Sequence, residues 1–317
     1  MKKLLNISDF PNDDENLRMM EKYQKKYNFD GFEIIKFDLE KDSSKLKDKI
    51  IGYHMRFFPM WLDIYLGKYN MIKEKFSDKM DRFYWCGGDT KEDVITYYKK
   101  DLQRAKELGV EYVVFHACYV DDDGSLTYQF PYTDKKVLEG VVSLINDVFK
   151  DEDFQFTLLL ENLWWAGLKL NSKSEMELLL EKIEYKNTGF ILDTSHMLNT
   201  NFNLKNLDEG IDYIIENIDK MEELKKYIYG VHLSWSLSGD YVSKMIEKHR
   251  KSQEEREKAK KKIYEYVGQI DYHYPFEDNR IMKVLNKLSL KWLVYEFLYY
   301  NDEELEEKVI KQEKIFS

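Results

Sequence analysis

Residues 189–196 read Gly-Phe-Ile-Leu-Asp-Thr-Ser-His, an apolar run that ends in the carboxylate of Asp193 and is followed by His196. A buried strand that ends in an acid and then an imidazole is typical of a metal or acid–base site at a sheet edge. The same sequence is also typical of a helix N-cap at Asp193. The rest of the chain decides between the two interpretations, because only a metal or acid–base site needs further ligands at the same edge.

Seven further apolar runs of strand length recur along the chain, and segments of helical periodicity separate them. The eight strand candidates lie near residues 3–7, 32–37, 50–54, 111–116, 155–161, 189–193, 228–232 and 292–296. This alternation predicts parallel strands joined by right-handed crossovers, and eight such units in 317 residues predict an α/β fold, the (β/α)8 barrel. A doubly wound sheet is the alternative, but no Gly-x-Gly-x-x-Gly follows the first strand.

The chain is expected to form one domain over residues 1–317, since no change in composition and no Pro- or Ser-rich linker divides it. A charged helical segment at about 240–266 stands between the seventh and eighth strands as an extra helix. Its mixed charges favour a solvated helix face. A lid over the site or a homodimer contact is the other interpretation.

Net charge and cysteine content limit the classes of function. The formal net charge of −10 disfavours a broad nucleic-acid-binding surface. Two cysteines outside any Cys-x-x-Cys motif, Cys86 and Cys118, fit a reduced compartment. The first residues lack a signal-peptide pattern, and no apolar run approaches the length of a membrane span. We therefore expect a cytoplasmic protein with a small-molecule substrate and no membrane contact.

Polar side chains occupy the C-terminal ends of six of these runs and a segment before the last strand. They are His54, His116, Glu161, Asp193 with His196, His232, Asp271 with His273, and Glu296. Five of the six histidines lie at these positions, and only His249 does not. Since the C-terminal ends of barrel strands meet at one mouth, we expect these side chains to converge there. Imidazoles and carboxylates placed together are ligands of Zn, Mn or Fe.

Each of these residues alone also has a purely structural interpretation. A single His after a strand is more often hydrogen-bonded than ligated, and a strand-end Glu is often a helix N-terminal acid. Asp193 can cap the helix that follows it, and Asp271 can cap a turn. Charged groups, however, rarely end apolar strands unless they are paired or ligated. Their recurrence around one predicted mouth therefore favours a divalent-metal site.

Five short motifs carry a resemblance to a known family. They are Leu-Glu-Asn at 160–162, Leu-Asp-Thr-Ser-His at 192–196, Gly-Val-His-Leu at 230–233, Asp-Tyr-His at 271–273 and Tyr-Glu-Phe at 295–297. With them the chain resembles the xylose isomerase-like TIM barrel superfamily, also called AP endonuclease family 2, which includes sugar isomerases, sugar epimerases and endonuclease IV. Resemblance to the epimerases implies one divalent metal, proton exchange by two glutamates, and an imidazole, that of His196, facing the substrate. The implied ligands are Glu161, Asp193, His232 and Glu296, of which Glu161 and Glu296 exchange the proton.

The resemblance to endonuclease IV covers nine positions and implies three zinc ions. The first ion would lie on His54, His116 and Glu161, the second on Glu161, Asp193, His232 and Glu296, and the third on His196, Asp271 and His273. The surroundings depart from that enzyme, because the sequence after His54 differs and the charged segment fills the gap between residues 232 and 271. No basic and apolar loop suited to entering a DNA duplex is evident in the sequence.

Three further residues are candidates for substrate contact. Trp164 and Trp165 follow Glu161 closely and would form an aromatic wall for a sugar face or a base, or else pack the barrel against its helices. Arg56 carries a fork-shaped guanidinium that suits a phosphate or carboxylate group. A salt bridge within its loop is the more frequent role for such an arginine.

Two enzyme classes follow from these residues. A metal-dependent isomerase or epimerase would act on a sugar, sugar phosphate or related polyol, with one divalent ion, Zn or Mn, and proton transfer by Glu161, Glu296 or His196. A phosphoesterase with two or three metals would use the whole nine-residue set. A barrel that only binds a ligand is a third, non-enzymatic alternative. The acidic composition and the lack of a DNA-entering loop favour the isomerase.

Overall fold

Ten β-strands lie within residues 1–316, the part of the chain that this computed structural model describes. They are β1 (Lys2–Ser8), β2 (Gly31–Ile35), β3 (Ile50–His54), β4 (Tyr112–His116), β5 (Cys118–Tyr119), β6 (Thr157–Glu161), β7 (Ala166–Gly167), β8 (Thr188–Asp193), β9 (Ile228–Leu233) and β10 (Trp292–Tyr295). Eight close into a parallel barrel in the order β1-β2-β3-β4-β6-β8-β9-β10, with β10 paired to β1. The predicted (β/α)8 TIM barrel is confirmed, and the short strands β5 and β7 form a separate antiparallel pair above it.

Helices fill the connections between the barrel strands. They are α1 (Asp13–Tyr27), α2 (Trp61–Tyr65), α3 (Tyr69–Lys75), α4 (Lys79–Cys86), α5 (Lys91–Leu108), α6 (Asp122–Thr127), α7 (Asp134–Phe149), α8 (Lys173–Lys182), α9 (Thr194–Leu198), α10 (Leu207–Lys220), α11 (Gly239–Lys251), α12 (Gln253–Lys260), α13 (Ile263–Ile270), α14 (Met282–Leu285) and α15 (Asp302–Glu313). Local sequence sets their ends: the Thr90 hydroxyl accepts a hydrogen bond from the Asp93 amide at the start of α5, and Gly109 ends this helix at a φ of 71°. None of the helices described for residues 1–316 is both long enough and apolar enough to cross a membrane.

The inside of the barrel is filled by side chains that alternate along each strand. A buried cluster contains Val114 of β4, Leu159 of β6, Ile191 of β8 and Val294 of β10, together with Leu4, Tyr112 and Trp292. Successive side chains of a strand point to opposite faces, so the residue two positions further along returns to the interior. That residue is His116 in β4, Glu161 in β6 and Asp193 in β8, and it is Glu296 directly after β10. This buried apolar cluster therefore fills the barrel directly below the polar residues of the mouth.

The charged insertion is built differently from the sequence prediction. Instead of one helix at about 240–266, it comprises the three helices α11, α12 and α13. The first break is at Ser252, whose extended backbone ends α11 and whose side chain accepts a hydrogen bond from the Glu255 amide to begin α12. Apolar side chains of the insertion, among them Val242, Met245 and Ile263, pack with residues of the loops after β4 and β6. The insertion therefore covers part of the mouth rather than extending into solvent.

Gly167 supports the two-stranded β5–β7 pair, and its replacement tests that geometry. Its φ is 135°, and a Cβ at this position would contact the Ala117 carbonyl oxygen and lie 2.7 Å from Cys118 Cα. We expect Gly167→Ala to lower the free energy of unfolding by about 2 kcal/mol or more, measured by urea denaturation. The matched control is Gly268→Ala in α13, where a Cβ meets no described atom within 4 Å. That control should be neutral or stabilising by up to about 1 kcal/mol. An unfolding free energy of Gly167→Ala equal to that of the wild type would contradict the account.

Candidate metal centre

The structure brings all nine predicted metal residues together at the C-terminal mouth of the barrel. Possible ligand atoms converge in four overlapping groups, and in each group they lie within 4.8 Å of one another. The groups are His54–His116–Glu161, His54–His232–Glu296, Glu161–Asp193–His232–Glu296 and Asp193–His196–His273. Asp271 joins the last group, because its Oδ2 lies 3.1 Å from His196 Nε2 and 2.7 Å from His273 Nε2.

Glu161 connects the groups through its two carboxylate oxygens. Its Oε2 lies 3.1 Å from both His54 Nε2 and His116 Nε2. The other oxygen, Oε1, lies 3.3 Å from His232 Nδ1 and 3.2 Å from His196 Nδ1. The residue is fully buried at the end of β6. One carboxylate thus faces two separate sets of imidazoles, which is the geometry of a bridging ligand.

The four-residue group around His232 has ligand atoms without hydrogen bonds. Glu161 Oε1, Asp193 Oδ2, His232 Nδ1 and Glu296 Oε2 are buried and make no hydrogen bond of good geometry within the described residues, although His232 Nδ1 lies 2.9 Å from Glu296 Oε2. Leaving a buried polar atom unpaired costs roughly 1–3 kcal/mol, and more for a charged group. In this group three carboxylates face the single imidazole nitrogen of His232, which is a costly arrangement for the protein alone. The donor set fits a divalent cation, which would satisfy all four.

Asp193 acts as a helix N-cap and also presents a free carboxylate oxygen to the mouth, so both interpretations of residues 189–196 apply to it. Its Oδ1 accepts a hydrogen bond of 2.6 Å from the His196 amide and caps the short helix α9. Its Oδ2 makes no hydrogen bond within residues 1–316 and lies 3.9 Å from His232 Nδ1. The cap fixes the carboxylate and holds His196 one turn away. The N-cap and the metal ligand are therefore compatible roles of one side chain.

Contacts outside the cluster fix which nitrogen of each imidazole faces it. The second nitrogen, Nδ1, lies 3.0 Å from the Met55 carbonyl in His54 and 2.9 Å from the Asn162 carbonyl in His196. In His273, Nδ1 lies 2.9 Å from Ser234 Oγ. The rings of His54 and His273 therefore turn Nε2 towards the mouth, whereas His196 faces Glu161 through Nδ1 and Asp271 through Nε2. Such outer contacts orient metal-binding histidines and set their tautomer.

Glu33 of β2 is a functional candidate that the sequence analysis missed. His232 Nε2 lies 3.1 Å from Glu33 Oε1, so His232 faces the cluster through Nδ1. The Glu33 carboxylate also accepts hydrogen bonds from Asn6 Nδ2 and Tyr112 OH, each at 2.7 Å. A carboxylate–histidine pair of this kind raises the basicity of the ligand nitrogen. The only signal in the sequence is one acid within the apolar run Gly-Phe-Glu-Ile-Ile.

Burial and ion pairing shift the pKa values of the cluster in opposite directions. Burial lowers the pKa of His116, which favours its neutral, ligating form. Burial would also lower the pKa of His54, but the hydrogen-bonded Glu161 carboxylate raises it to about 9. Burial raises the pKa of Asp193, whereas the charge of His232 outweighs burial at Glu296 and lowers the pKa of that carboxyl. The shifts thus come from burial and from the imidazoles and carboxylates acting on one another.

The three predicted substrate residues have different surroundings. Trp164 and Trp165 line a cavity of about 220 Å³ that also reaches His116, His196 and Asp271. Arg56 does not line this cavity. Its guanidinium lies against the rings of Phe58, Phe83 and Tyr84, and its Nη1 donates a hydrogen bond of 3.4 Å to the Phe37 carbonyl. These cation–π contacts hold the Arg56 guanidinium against the aromatic rings, and its contact with a substrate stays a prediction.

The chain matches known proteins in sequence over most of its length. Residues 22–285 match the family described as xylose isomerase-like TIM barrel. A relative from Mycoplasma mobile, named probable endonuclease 4, is 27% identical over 161 residues. That alignment covers 50% of this chain and 52% of the relative, so the chain spans about half the length of this curated relative.

Solved structures share the fold at lower sequence identity. Endonuclease IV from Thermus thermophilus superimposes with a TM-score of 0.56 and 13% identity, over 100% of this chain and 99% of that one. A D-psicose 3-epimerase structure, determined in the presence of D-fructose, gives a TM-score of 0.53 and 12% identity over 98% and 90% of the two chains. At such identities these likenesses show the barrel alone.

Glu33→Gln tests whether the buried carboxylate supports the centre. The substitution keeps the volume of the side chain but removes the charge that faces His232 Nε2. We expect the apparent affinity for zinc to fall about 10- to 100-fold, measured by competition with a chromophoric chelator. Glu40→Gln, an exposed carboxylate just after the same strand, is the control and should leave the affinity unchanged. Equal affinities of the two variants would refute the supporting role of Glu33.

Proposed function

The chain belongs to the xylose isomerase-like TIM barrel family, and within it we propose a metal-dependent phosphoesterase with a site like that of endonuclease IV. One observation carries the proposal: Glu161 separates two groups of imidazoles, and Asp271 forms a third group with His196 and His273. Three groups joined by shared carboxylates suit two or three divalent ions. The partial sequence match to a probable endonuclease 4 supports the same class.

The isomerase or epimerase that the sequence analysis preferred is the second candidate. It is favoured by the group Glu161–Asp193–His232–Glu296, in which two glutamates face one point. This activity would use a single ion on that group. It gives no role to the buried imidazoles of His54 and His116, or to the Asp271–His273 pair, whose ligand atoms also converge on the mouth. The phosphoesterase uses all of them, and for this reason we rank it first.

The ligands divide among three ion positions in the proposed centre. His54, His116 and Glu161 would hold the first ion, Glu161, Asp193, His232 and Glu296 the second, and His196, Asp271 and His273 the third. Bound divalent ions supply positive charge that activates water and stabilises the negative charge on phosphate oxygens. The four carboxylates of the set would offset four of the six positive charges that three divalent ions carry. Burial of the ligands removes competing water, which strengthens the electrostatic interactions at the mouth.

Composition bears on the partners of the proposed enzyme. The net charge of −10 argues against a broad nucleic-acid surface and for a small phosphate ester as substrate. The insertion formed by α11, α12 and α13 packs on the loops of its own barrel, which argues for a lid more than for a homodimer contact. A small-molecule substrate and the Zn or Mn preference of the ligands are parts of the same proposal.

Two histidine substitutions separate the phosphoesterase from the one-metal isomerase. His116→Gln removes a ligand that only the phosphoesterase needs, whereas His249→Gln changes the one histidine outside the mouth. With zinc- or manganese-loaded protein, we expect hydrolysis of bis(4-nitrophenyl) phosphate to fall on the order of 100-fold or more in His116→Gln and to be unchanged in His249→Gln.

Sugar epimerisation is measured on the same proteins as the opposing outcome. A wild-type protein that hydrolyses no phosphodiester but interconverts ketose epimers, and keeps that activity in His116→Gln, would overturn the phosphoesterase in favour of the isomerase. Thermal melting of each variant shows that a loss of activity does not come from unfolding.

A further inference from the structure

A cavity of about 220 Å³ opens directly beside the candidate metal centre. Three of the nine mouth residues, His116, His196 and Asp271, form one side of it. The rest of its wall is mainly aromatic and aliphatic, and no step of the proposed chemistry requires an apolar wall. A phosphate ester bound at the metal centre would therefore have its organic substituent in this cavity.

The aromatic wall is continuous with the ligand imidazoles. The rings of Trp164 and Trp165 are 4.4 Å apart, and Trp164 lies 5.1 Å from the ring of His196. On the other side, the ring of Phe57 lies 5.1 Å from the ring of His116. The planes of the Phe57 and Trp165 rings are nearly parallel, with an angle of 17° between them. Flat surfaces arranged in this way favour stacking with a flat group.

A buried hydrogen-bond donor also lies in this wall. Trp165 is 6% exposed, and its indole N–H makes no hydrogen bond within the described part of the chain. A buried indole N–H normally has a partner. The polar nitrogen is buried, so Trp165 offers the cavity mainly the apolar face of its ring.

The insertion closes the cavity from above. Ile263, Tyr264 and Val267 of α13 complete its lining. The end of this helix is tied to the barrel by a hydrogen bond of 3.1 Å from Asn199 Nδ2 to the Ile270 carbonyl. Arg250 of α11 donates a hydrogen bond of 2.8 Å to the Thr127 carbonyl, which holds the insertion on the loop after β4. The roof is thus a feature of this chain's own insertion.

We propose that this cavity binds the flat aromatic substituent of a small phosphate diester whose phosphate lies at the metal centre. The inference rests on the proposed phosphoesterase function and names its substrate class. Pockets for drug-sized ligands measure roughly 300–1,000 Å³, so a cavity of about 220 Å³ fits one ring system and not a larger group. The roof and the net charge of −10 both oppose a DNA duplex at this position.

Binding of two phosphonates to the zinc-loaded protein tests the cavity without relying on turnover. Phenylphosphonate carries an aromatic ring, and methylphosphonate carries the same charged head without it. Isothermal titration calorimetry should give a dissociation constant for phenylphosphonate on the order of tenfold lower, because the ring leaves water for an apolar wall. Equal constants for the two compounds in the wild-type protein would overturn the proposal.

Two substitutions in α13 test whether the preference for phenylphosphonate arises in this cavity. Val267→Trp places a bulky side chain in the cavity and should abolish the preference for phenylphosphonate, while methylphosphonate binds as in the wild type. Gln269→Trp adds the same side chain at an exposed position outside the lining and should keep the preference. A preference that survives Val267→Trp would place the ring elsewhere and contradict the assignment.

Hydrolysis measurements separate this inference from the function on which it rests. We expect a higher kcat/KM for bis(4-nitrophenyl) phosphate than for a duplex that contains an abasic site. Efficient cleavage of the duplex, with no phenyl preference in binding, would overturn the substrate class and leave the phosphoesterase intact. A phenyl preference in a protein that hydrolyses no phosphodiester would keep the aromatic cavity and contradict the phosphoesterase.

Discussion

The buried carboxylate of Glu161 is the interaction on which the candidate site depends. It is fully buried, and each of its oxygens faces imidazoles, with His54 and His116 on one side and His196 and His232 on the other. A charge this deep in a protein is stable only when it is paired or ligated. The carboxylates of Asp193 and Glu296 share the imidazole of His232 with that of Glu161, so their negative charge is also only partly paired. Divalent ions would neutralise the charge of all of these groups together.

The barrel explains why these groups meet. Along β4, β6, β8 and β10, an apolar inward residue is followed two positions later by a polar one. Closure of the sheet carries these strand ends to one mouth, and the loops beyond β4 and β6 meet the insertion above it. Strand register therefore positions the polar side chains of the mouth. The loops after β4 and β6 and the insertion determine the shape of the space next to them.

The sequence was sufficient for the barrel and for the convergence of the nine mouth residues, because strand periodicity is local and strand ends are ordered by closure. It was insufficient where contacts join distant segments. Glu33 reads as one acid within an apolar strand, and only the register of β2 against the rest of the barrel shows that it faces His232. The contacts of the Arg56 guanidinium with the rings of Phe83 and Tyr84 in α4 also join segments that the sequence leaves apart. The insertion was expected as one helix, and a single extended residue, Ser252, begins its division into three.

A count of metal ions per chain tests the central claim most directly. Elemental analysis of the purified protein gives the number and identity of the ions, and anomalous scattering from crystals assigns each ion to its ligands. The account predicts two or three divalent ions, with Glu161 shared between two of them and a further position on His196, Asp271 and His273. A single ion on Glu161, Asp193, His232 and Glu296, with the other imidazoles free of metal at saturating zinc and manganese, would contradict it.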